Sequence, residues 1–425
     1  MRAPASAGVK FLPACTGRLR CAWVAAWSLP AYADVHLAGV PMLSDVVPLA
    51  LTYDDVLLVP RASNVLPAEV SVATTLGAVN LRIPLLGSAM DTVTESAMAI
   101  VLASHGGIGI VHKNLSLERQ AAEVARVKGA EVPSWTPRFA GPAAVDAAGR
   151  LVVGAALGVG GDRDRRLAAL LEAGVDLVVI DTAHGHSRGV LEATRAVKAA
   201  HPGLTVVAGN IATAEAARAL FDAGADVVKV GVGPGSICTT RIVAGTGVPQ
   251  LTAVAEVAAV ARAYGRQLIA DGGLRSSGDI AKAVGAGADA VMVGSMFAGT
   301  DEAPGDTIRV GNSRYKVYRG MGSMEAMEAG SSDRYFQDRS ADPEAIVRKL
   351  VPEGVVARVP HRGPVGEIVY QLIGGLRSAM GYSGAEDLAT MQRVAQFVRI
   401  TNAGLRESHV HDVDMIEEAP NYSVR

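Results

Sequence analysis

Three stretches of the chain repeat one order of apolar and polar positions. They span residues 173–181, 223–231 and 286–294; each begins with Ala-Gly, continues with a short run rich in β-branched residues, and ends on Asp or Gly. A glycine followed by such a run is typical of a helix end that leads into a buried strand. The pattern therefore predicts a repeated strand and helix unit.

Five further apolar runs bring the predicted strands to eight, at 84–89, 109–113, 152–157, 204–210 and 268–271 in addition to the three repeats. Amphipathic stretches, many starting near Ser or Thr, predict helices between them at 115–128, 163–172, 187–200, 213–222, 253–264 and 278–284. The alternation predicts an α/β fold, a (β/α)8 TIM barrel, with a doubly wound parallel sheet as the alternative. Because ligands bind beyond the carboxyl ends of the strands in both folds, functional residues are expected just after each strand.

Two segments interrupt this rhythm. Residues 129–149 are rich in Pro, Gly and Ala and predict a short linker, whereas the polar residues 301–363 follow the eighth strand and predict a long catalytic flap. Residues 367–398 return to helical spacing. We therefore expect a single barrel domain built from 42–128 and 150–425.

Composition narrows the class of protein. Of the 425 residues, 49% are hydrophobic but only 4% are aromatic, so the core must consist mainly of Val, Ile, Leu and Ala, as in buried parallel strands. The net charge of −2 provides no general attraction to nucleic acids or membrane surfaces. No apolar run reaches the roughly 18–20 residues of a membrane span. We expect no nucleic-acid or membrane partner.

The first residues, 1–41, form an extension that differs from the rest. Basic residues precede an apolar stretch at 21–27 and an Ala-Tyr-Ala at 31–33, which imitates a secretory signal and its cleavage site. Pro30 interrupts the apolar stretch early. The favoured alternative is that Met42 is the functional start and that the preceding residues are a disordered or mis-called extension.

Three cysteines, Cys15, Cys21 and Cys238, cannot form a disulfide framework in a chain of this length, which favours a reducing, cytoplasmic location. Taken alone, Cys238 is typical of a small buried hydrophobe. It follows the sixth predicted strand, however, in a glycine-rich loop that also carries hydroxyl residues and Arg241. Because these neighbours favour a thiolate at the catalytic face of the barrel, the interpretation shifts to a nucleophile.

Small and acidic residues follow other strands. The sequences 271–273 and 294–295 come after the seventh and eighth strands, where barrel enzymes bind phosphate, although plain glycine turns are the alternative. Asp181 ends the fourth strand and could bind a ribose diol or serve as a helix N-cap.

Two pairs of histidines raise the alternative of a metal-dependent enzyme. Neither pair has a fitting set of Cys or carboxylate partners, so metal catalysis is not favoured. The pairs are His184 with His186 and His409 with His411.

Seven ordered blocks of the chain resemble the inosine-5′-monophosphate (IMP) dehydrogenases of bacterial type. The resemblance covers about residues 48–422 and implies oxidation of IMP to xanthosine 5′-monophosphate (XMP) with NAD, the committed step of guanine nucleotide synthesis. The blocks are LTYDDVLL at 51–58, SAMDTVT at 88–94, GVGPGSICTTR at 231–241, ADGG at 270–273, YRGMGS at 318–323, SSDRYF at 331–336 and ESH at 407–409.

The resemblance implies a two-stage reaction. Cys238 would add to C2 of the purine and, after hydride transfer, hold a covalent thioimidate. Arg334 beside Tyr335 would activate the hydrolytic water, with Thr240 and Glu353 as a second proton path. The implied nucleotide-binding residues are Ser88, Met90, Ser236, Asp271, Gly273, Gly294, Ser295, Tyr318, Gly320, Met321, Gly322 and Glu353.

The resemblance also implies cofactors and partners. Asp181 and Asn210 match contacts to NAD. A potassium site is implied that shares ligands between two subunits of a homotetramer, because oxygen ligands at a glycine-rich turn suit such a cation. Its ligands would be the carbonyl groups of Gly233, Gly235 and Cys238, with Glu407, Ser408 and His409 from the neighbouring subunit. Relatives of this type usually carry paired cystathionine-β-synthase-type (CBS) regulatory modules where this chain has only residues 129–149.

Two other functions remain as alternatives. GMP reductase, which converts GMP to IMP with NADPH, has a similar cysteine loop on the same barrel but no use for a water-activating Arg334 and Tyr335. Those residues, together with the sequence at 181–185, favour the dehydrogenase. A non-catalytic barrel that binds purine nucleotides is the third hypothesis.

Overall fold

The computed structural model describes residues 47–134, 142–335 and 350–422. The chain divides into two units, Met1–Leu49 and Ala50–Arg425, and all the elements described here belong to the second. The predicted extension at 1–41, with Cys15 and Cys21, lies outside the described residues. Parts of the predicted linker and flap, at 135–141 and 336–349, lie outside them as well.

Eight parallel strands form a closed barrel, which confirms the predicted (β/α)8 fold. Closure is made by the last strand pairing with the first, in a register that places Val291 opposite Leu85. A doubly wound sheet would leave two open edges, so this pairing excludes the alternative. The barrel strands are β4 (Leu85–Gly87), β5 (Ile108–Val111), β6 (Gly154–Leu157), β7 (Leu177–Asp181), β8 (Thr205–Ile211), β9 (Val227–Val230), β10 (Gln267–Asp271) and β11 (Ala290–Val293).

Helices surround the barrel and bury one face each. In α4 the buried residues are Val190, Ala193, Thr194 and Val197, the spacing of a single helical face. Side-chain hydroxyl groups cap several starts, as the sequence predicts; Ser116, for example, accepts a hydrogen bond from the first turn of α2. The helices are α1 (Ser96–Ser104), α2 (Leu117–Gly129), α3 (Arg163–Glu172), α4 (Arg188–Ala200), α5 (Ala214–Asp222), α6 (Thr240–Val243), α7 (Gln250–Tyr264), α8 (Ser277–Gly285) and α9 (Ser295–Ala298).

A β-hairpin covers the amino-terminal end of the barrel. It consists of β2 (Thr74–Leu76) and β3 (Val79–Leu81). Its turn donates hydrogen bonds from the backbone N–H of Gly77 to Gln267 and from that of Ala78 to Thr205, over 3.2 and 3.0 Å. Because Gln267 and Thr205 begin their strands, the hairpin blocks this end and leaves the carboxyl ends for a site.

The insertion after β11 contains regular structure that the polar sequence did not indicate. Three antiparallel strands form a small sheet, and alternate residues of its middle strand are buried. Short helical turns follow the sheet. These elements are β12 (Thr307–Val310), β13 (Ser313–Arg319), β14 (Val356–Pro360), α10 (Met324–Ala326), a π-helical turn (Met327–Ser331) and a 3-10 turn (Ser332–Tyr335).

The carboxyl-terminal part departs from the helical spacing predicted up to residue 398. Helix α11 (Val365–Ser383) ends because Gly384 adopts a left-handed conformation, with φ of 67°. After α12 (Leu388–Val394) the chain becomes extended and forms β15 (Phe397–Arg399), which pairs with β1 (Val56–Leu58). The 3-10 turn Tyr53–Asp55 precedes β1, and α13 (Asn402–Glu407) follows β15. No helix among the described residues is long and apolar enough to span a membrane.

The packing of α1 on the barrel gives a stability prediction. A Cβ atom on Gly109 would lie 2.5 Å from the Cα atom of Ala99, so Gly109→Ala must push the helix outward. We expect a loss of about 2 kcal/mol in the free energy of unfolding, measured by thermal denaturation. Gly129→Ala is the matched control, because a Cβ atom there meets nothing within 4 Å. Equal melting temperatures for the two variants would contradict the prediction.

Candidate active site

A cavity of about 330 Å³ opens at the carboxyl ends of the barrel strands. Its walls come from the ends of β4, β7, β8, β9, β10 and β11 and from the insertion after β11. Strands that are distant in sequence therefore deliver their last residues to one place, as the barrel geometry requires. This cavity contains most of the residues predicted from the sequence.

The loop after β9 carries Cys238 into the cavity. Glycine is needed at its start, because a Cβ atom on Gly231, with φ of 152°, would lie 2.0 Å from the carbonyl oxygen of Asp271. The thiol of Cys238 is partly exposed and lies 3.2 Å from the hydroxyl of Thr240. That hydroxyl donates a hydrogen bond of 2.7 Å to the carboxylate of Glu353. Thiol, hydroxyl and carboxylate thus form a continuous path for a proton.

Backbone hydrogen bonds attach the cysteine loop to the segment that precedes β14. The N–H of Thr239 donates to the carbonyl of Glu353 over 2.9 Å, and the N–H of Val355 donates to the carbonyl of Ile237 over 3.0 Å. The position of Glu353 beside Thr240 therefore follows from backbone pairing as well as from its side chain.

The 3-10 turn Ser332–Tyr335 brings Arg334 and Tyr335 into the cavity wall. Its position is fixed by the N–H of Ala183, which donates to the carbonyl of Arg334 over 3.0 Å. The guanidinium of Arg334 pairs with the carboxylate of Asp181. Burial lowers the pKa of Arg334, and the adjacent phenol of Tyr335 acts in the opposite direction. Burial also raises the pKa of Tyr335, while Arg334 opposes that shift.

A lysine that sequence reasoning missed joins three of the predicted residues. Lys229 is 1% exposed, and its ammonium lies 2.9 Å from Asp181 and 2.6 Å from Asp271. It also donates to Asn210, whose amide donates to Asp271 over 2.9 Å. The residues predicted for NAD and for the nucleotide therefore share one buried cation. A lysine inside the apolar run 227–230 was the signal in the sequence.

Small residues and hydroxyl groups line the remaining wall. The phenol of Tyr318 is buried, which raises its pKa, and a hydrogen bond with Ser236 acts against that shift. A Cβ atom on Gly294 would lie 2.9 Å from the Tyr318 hydroxyl, so glycine keeps this corner open. The other predicted nucleotide residues that line the cavity are Ser88, Met90, Asp271, Gly273, Ser295, Gly320, Met321 and Glu353.

Two predicted residues lie behind the cavity wall. Thr240 contacts Cys238 and Glu353 through its hydroxyl. Gly322 accepts a hydrogen bond of 3.0 Å from the N–H of Glu353 through its carbonyl, and a Cβ atom there would lie 2.6 Å from the ring of Tyr335. Gly322 thus makes room for Tyr335 beside the cysteine loop.

Comparison with known proteins agrees with this geometry. Residues 50–411 match the family model described as the IMP dehydrogenase / GMP reductase domain. The inosine-5′-monophosphate dehydrogenase of Bacillus subtilis (strain 168) is 44% identical over 484 aligned positions, and that of Aquifex aeolicus (strain VF5) is 46% identical over 485. Each alignment covers 88% of this chain and 98% of the relative. The chain belongs to the IMP dehydrogenase family.

Alignment lengths show that this IMP dehydrogenase family member is shorter than those relatives. It contributes 88% of its 425 residues, about 374, to the 484 positions aligned with the Bacillus subtilis protein. About 110 positions of that relative therefore have no counterpart here, which is the size of a separate module.

In this IMP dehydrogenase family member the predicted cation ligands fall into two groups. Gly233, Gly235 and Cys238 line the cavity. The second group, Glu407, Ser408 and His409, follows β15 and lies near the 3-10 turn Tyr53–Asp55. The N–H of Ile400 donates to the carbonyl of Asp55 in this turn. The pKa of Asp54 is lowered by its hydrogen bond with Arg275 and, more weakly, by His409. Within the described residues, no hydrogen bond or ion pair joins the two groups.

The shared cation at Lys229 gives a second stability prediction. Lys229→Met leaves the carboxylates of Asp181 and Asp271 beside each other without their common counter-ion. We expect a loss of about 3 kcal/mol in the free energy of unfolding, measured by chemical denaturation. Arg188→Met, which removes an exposed ion pair with Glu192, is the control and should leave the denaturation midpoint nearly unchanged. An unchanged denaturation midpoint for Lys229→Met would disprove the structural role assigned to this lysine.

Proposed function

We propose that this protein oxidises IMP to XMP with NAD as the hydride acceptor. The observation that carries the proposal is that Cys238 shares one cavity with Arg334 and Tyr335. A nucleophile and a separate group for activating water are the two requirements of an oxidation that passes through a covalent intermediate.

The cavity walls suggest how IMP binds. Its phosphate would lie against Ser236, Gly294 and Tyr318, where small residues leave backbone and hydroxyl groups free to donate. The ribose hydroxyls would donate to Asp271, which Lys229 and Asn210 hold in place. In this placement C2 of the purine would face Cys238.

The first stage is assigned to the cysteine loop. The sulfur of Cys238 attacks C2 of IMP, while Thr240 and Glu353 provide the path that accepts the thiol proton. When bound, NAD accepts the hydride that leaves C2. Cys238 then holds the purine as a thioimidate. Water must cleave this bond to return the Cys238 thiolate and release XMP.

Asp181 and Asn210 fit the proposed NAD site. Both line the cavity beyond Cys238, and both contact Lys229. A carboxylate in such a position can accept hydrogen bonds from a ribose diol. In the described arrangement, the Asp181 carboxylate pairs with Arg334. The turn that carries Arg334 would therefore occupy this position only after NADH has left.

The second stage is assigned to Arg334 and Tyr335. Arginine can accept a proton only as a neutral guanidine; burial lowers the pKa of Arg334 toward that form, whereas the ion pair with Asp181 favours the charged form. The adjacent phenol of Tyr335 can pass on a proton and orient the water. Thr240 with Glu353 offers the second path, since the same hydroxyl also contacts Cys238.

We further propose a potassium ion at the cysteine loop and a homotetramer that completes its site. The carbonyl groups of Gly233, Gly235 and Cys238 provide oxygen ligands, which suit an alkali cation. The remaining ligands, Glu407, Ser408 and His409, would come from the neighbouring subunit. The proposed location is cytoplasmic, where Cys238 stays reduced.

The linker is proposed to stand where relatives carry their paired CBS modules. Residues 129–149 join α2 to β6, and the roughly 110 unmatched positions of the relatives would fit such a pair. This protein would then lack control by adenine and guanine nucleotides through those modules.

GMP reductase is the second candidate, because the matched family includes it. Arg334 and Tyr335 argue against it, since reductive deamination needs no group to activate water. The test follows cofactor absorbance with IMP and NAD, and separately with GMP and NADPH. We expect turnover in the first mixture; turnover only in the second would contradict the proposal.

Substitutions separate the two stages. Cys238→Ala should abolish NADH formation altogether, because no covalent step remains. Arg334→Ala should retain a rapid burst of about one NADH per site, followed by a steady rate reduced by at least about 100-fold. Stopped-flow absorbance measures both phases. Equal loss of burst and steady rate in Arg334→Ala would contradict the separate roles.

Removal of potassium tests the cation site. Exchange into a buffer with a large organic cation should lower turnover at least about tenfold, and potassium should restore it. Glu407→Gln, at the proposed subunit boundary, should raise the potassium concentration needed for half-maximal activity. Turnover that is independent of potassium would overturn the assignment.

A further inference from the structure

Lys113 lies outside the residues that line the cavity and contacts the turn that carries Arg334. It follows β5, at the carboxyl end of the barrel, and its side chain is 11% exposed. The ammonium pairs with the carboxylate of Asp333, which immediately precedes Arg334, and lies 3.5 Å from the carbonyl of Gly330. The second barrel loop therefore holds the start of the 3-10 turn Ser332–Tyr335.

A neighbouring glycine makes room for this ion pair. Gly158 follows β6, and a Cβ atom there would lie 2.5 Å from the Asp333 carboxylate and 3.3 Å from the Lys113 ammonium. The ends of two adjacent strands thus form a recess that is filled by the Asp333 carboxylate.

The charges around Lys113 make Asp333 its principal partner. Burial lowers the pKa of Lys113, and Asp333 opposes that shift more strongly than any other group. Asp162 acts on this pKa in the same direction as Asp333 but more weakly, and Arg166 acts against it. Departure of Asp333 would leave a largely buried ammonium with weaker compensation, which favours the docked position of the turn.

We propose that Lys113 and Asp333 form a latch that holds Arg334 in place for hydrolysis of the Cys238 intermediate. The inference rests on the proposed function. Both latch residues are positioning residues, because they act through Arg334 and do not touch the proposed reacting atoms. Since Arg334 pairs with Asp181 only when the turn is docked, the latch acts on the stage after NADH release and not on hydride transfer.

Steady-state and stopped-flow kinetics of Lys113→Met and Asp333→Asn test the latch. Each variant should slow hydrolysis about fivefold, the size expected for an ion pair of intermediate burial, and the NADH burst should keep its rate. Because hydrolysis follows NADH release, kcat should fall, whereas kcat/KM for NAD should not fall, since a looser turn leaves Asp181 at least as accessible to NAD. Lys198→Met is the matched control, since Lys198 also joins a carboxylate and a carbonyl but lies at the amino-terminal side of β9.

The double variant shows whether the two residues act together. If they form one latch, Lys113→Met combined with Asp333→Asn should slow hydrolysis no more than either single change. Three results would each overturn the proposal. The effects of the two substitutions on hydrolysis could multiply in the double variant, kcat/KM for NAD could fall as much as kcat, or hydrolysis could be unchanged in both single variants. Asp333→Asn changes only the flap side, so it decides the question if Lys113→Met does not fold.

Amide hydrogen exchange provides a readout that does not need turnover. Both single variants should speed exchange across residues 330–335 in the nucleotide-free protein, and Lys198→Met should not. Gly158→Ala should reproduce the effect by displacing the Asp333 carboxylate, whereas Gly161→Ala, whose Cβ atom meets nothing within 4 Å, should not. Unchanged exchange overturns the latch. If exchange is faster in the variants but the unaltered protein does not oxidise IMP, only the proposed function is refuted.

Discussion

The carboxylate of Asp181 is the point on which the two-stage account depends. It is buried at the end of β7, and it contacts both the ammonium of Lys229 and the guanidinium of Arg334. Lys229 belongs to a barrel strand and is a fixed partner, whereas Arg334 belongs to the insertion and is proposed to leave when NAD binds. In that proposal one carboxylate serves NAD in one stage and Arg334 in the next, without losing its counter-ion.

The barrel makes these shared contacts of Asp181 possible, because it brings the ends of short, rigid strands together. The strands are buried along almost their whole length, and two of them end on a polar residue, β7 on Asp181 and β10 on Asp271. Lys229 differs from these because it is a charged residue within its strand. It is tolerated there because Asp181, Asp271 and Asn210 surround its ammonium.

Much of the fold could be predicted from the sequence because each barrel unit is local. Short apolar runs, rich in Val and Ile in most strands, mark the barrel strands, and the hydroxyl caps mark several helix starts. The small sheet of the insertion was missed because its exposed positions carry charged residues and because β14 joins it across residues that are distant in sequence, although β12 and β13 form a local hairpin. Strand β15 was missed for a similar reason: its conformation depends on pairing with β1, which lies over 300 residues earlier.

The site shows the same division. Cys238 could be found from its glycine-rich loop, and the resemblance supplied Arg334, Tyr335 and Glu353. The roles of Lys229 and Lys113 depend on partners that lie 42 and 220 positions away. Only the closed barrel shows that a lysine in a strand and a lysine in a loop both act on the residues around Arg334.

The covalent intermediate is the central claim, and mass spectrometry of the protein quenched during turnover tests it most directly. With IMP and NAD, the peptide that contains Cys238 should gain the mass of IMP less two hydrogens, the hydride from C2 and the proton of the thiol. The fraction modified should rise in Arg334→Ala and vanish in Cys238→Ala. Oxidation of IMP with no adduct at Cys238, in the unaltered protein and in Arg334→Ala, would contradict the account.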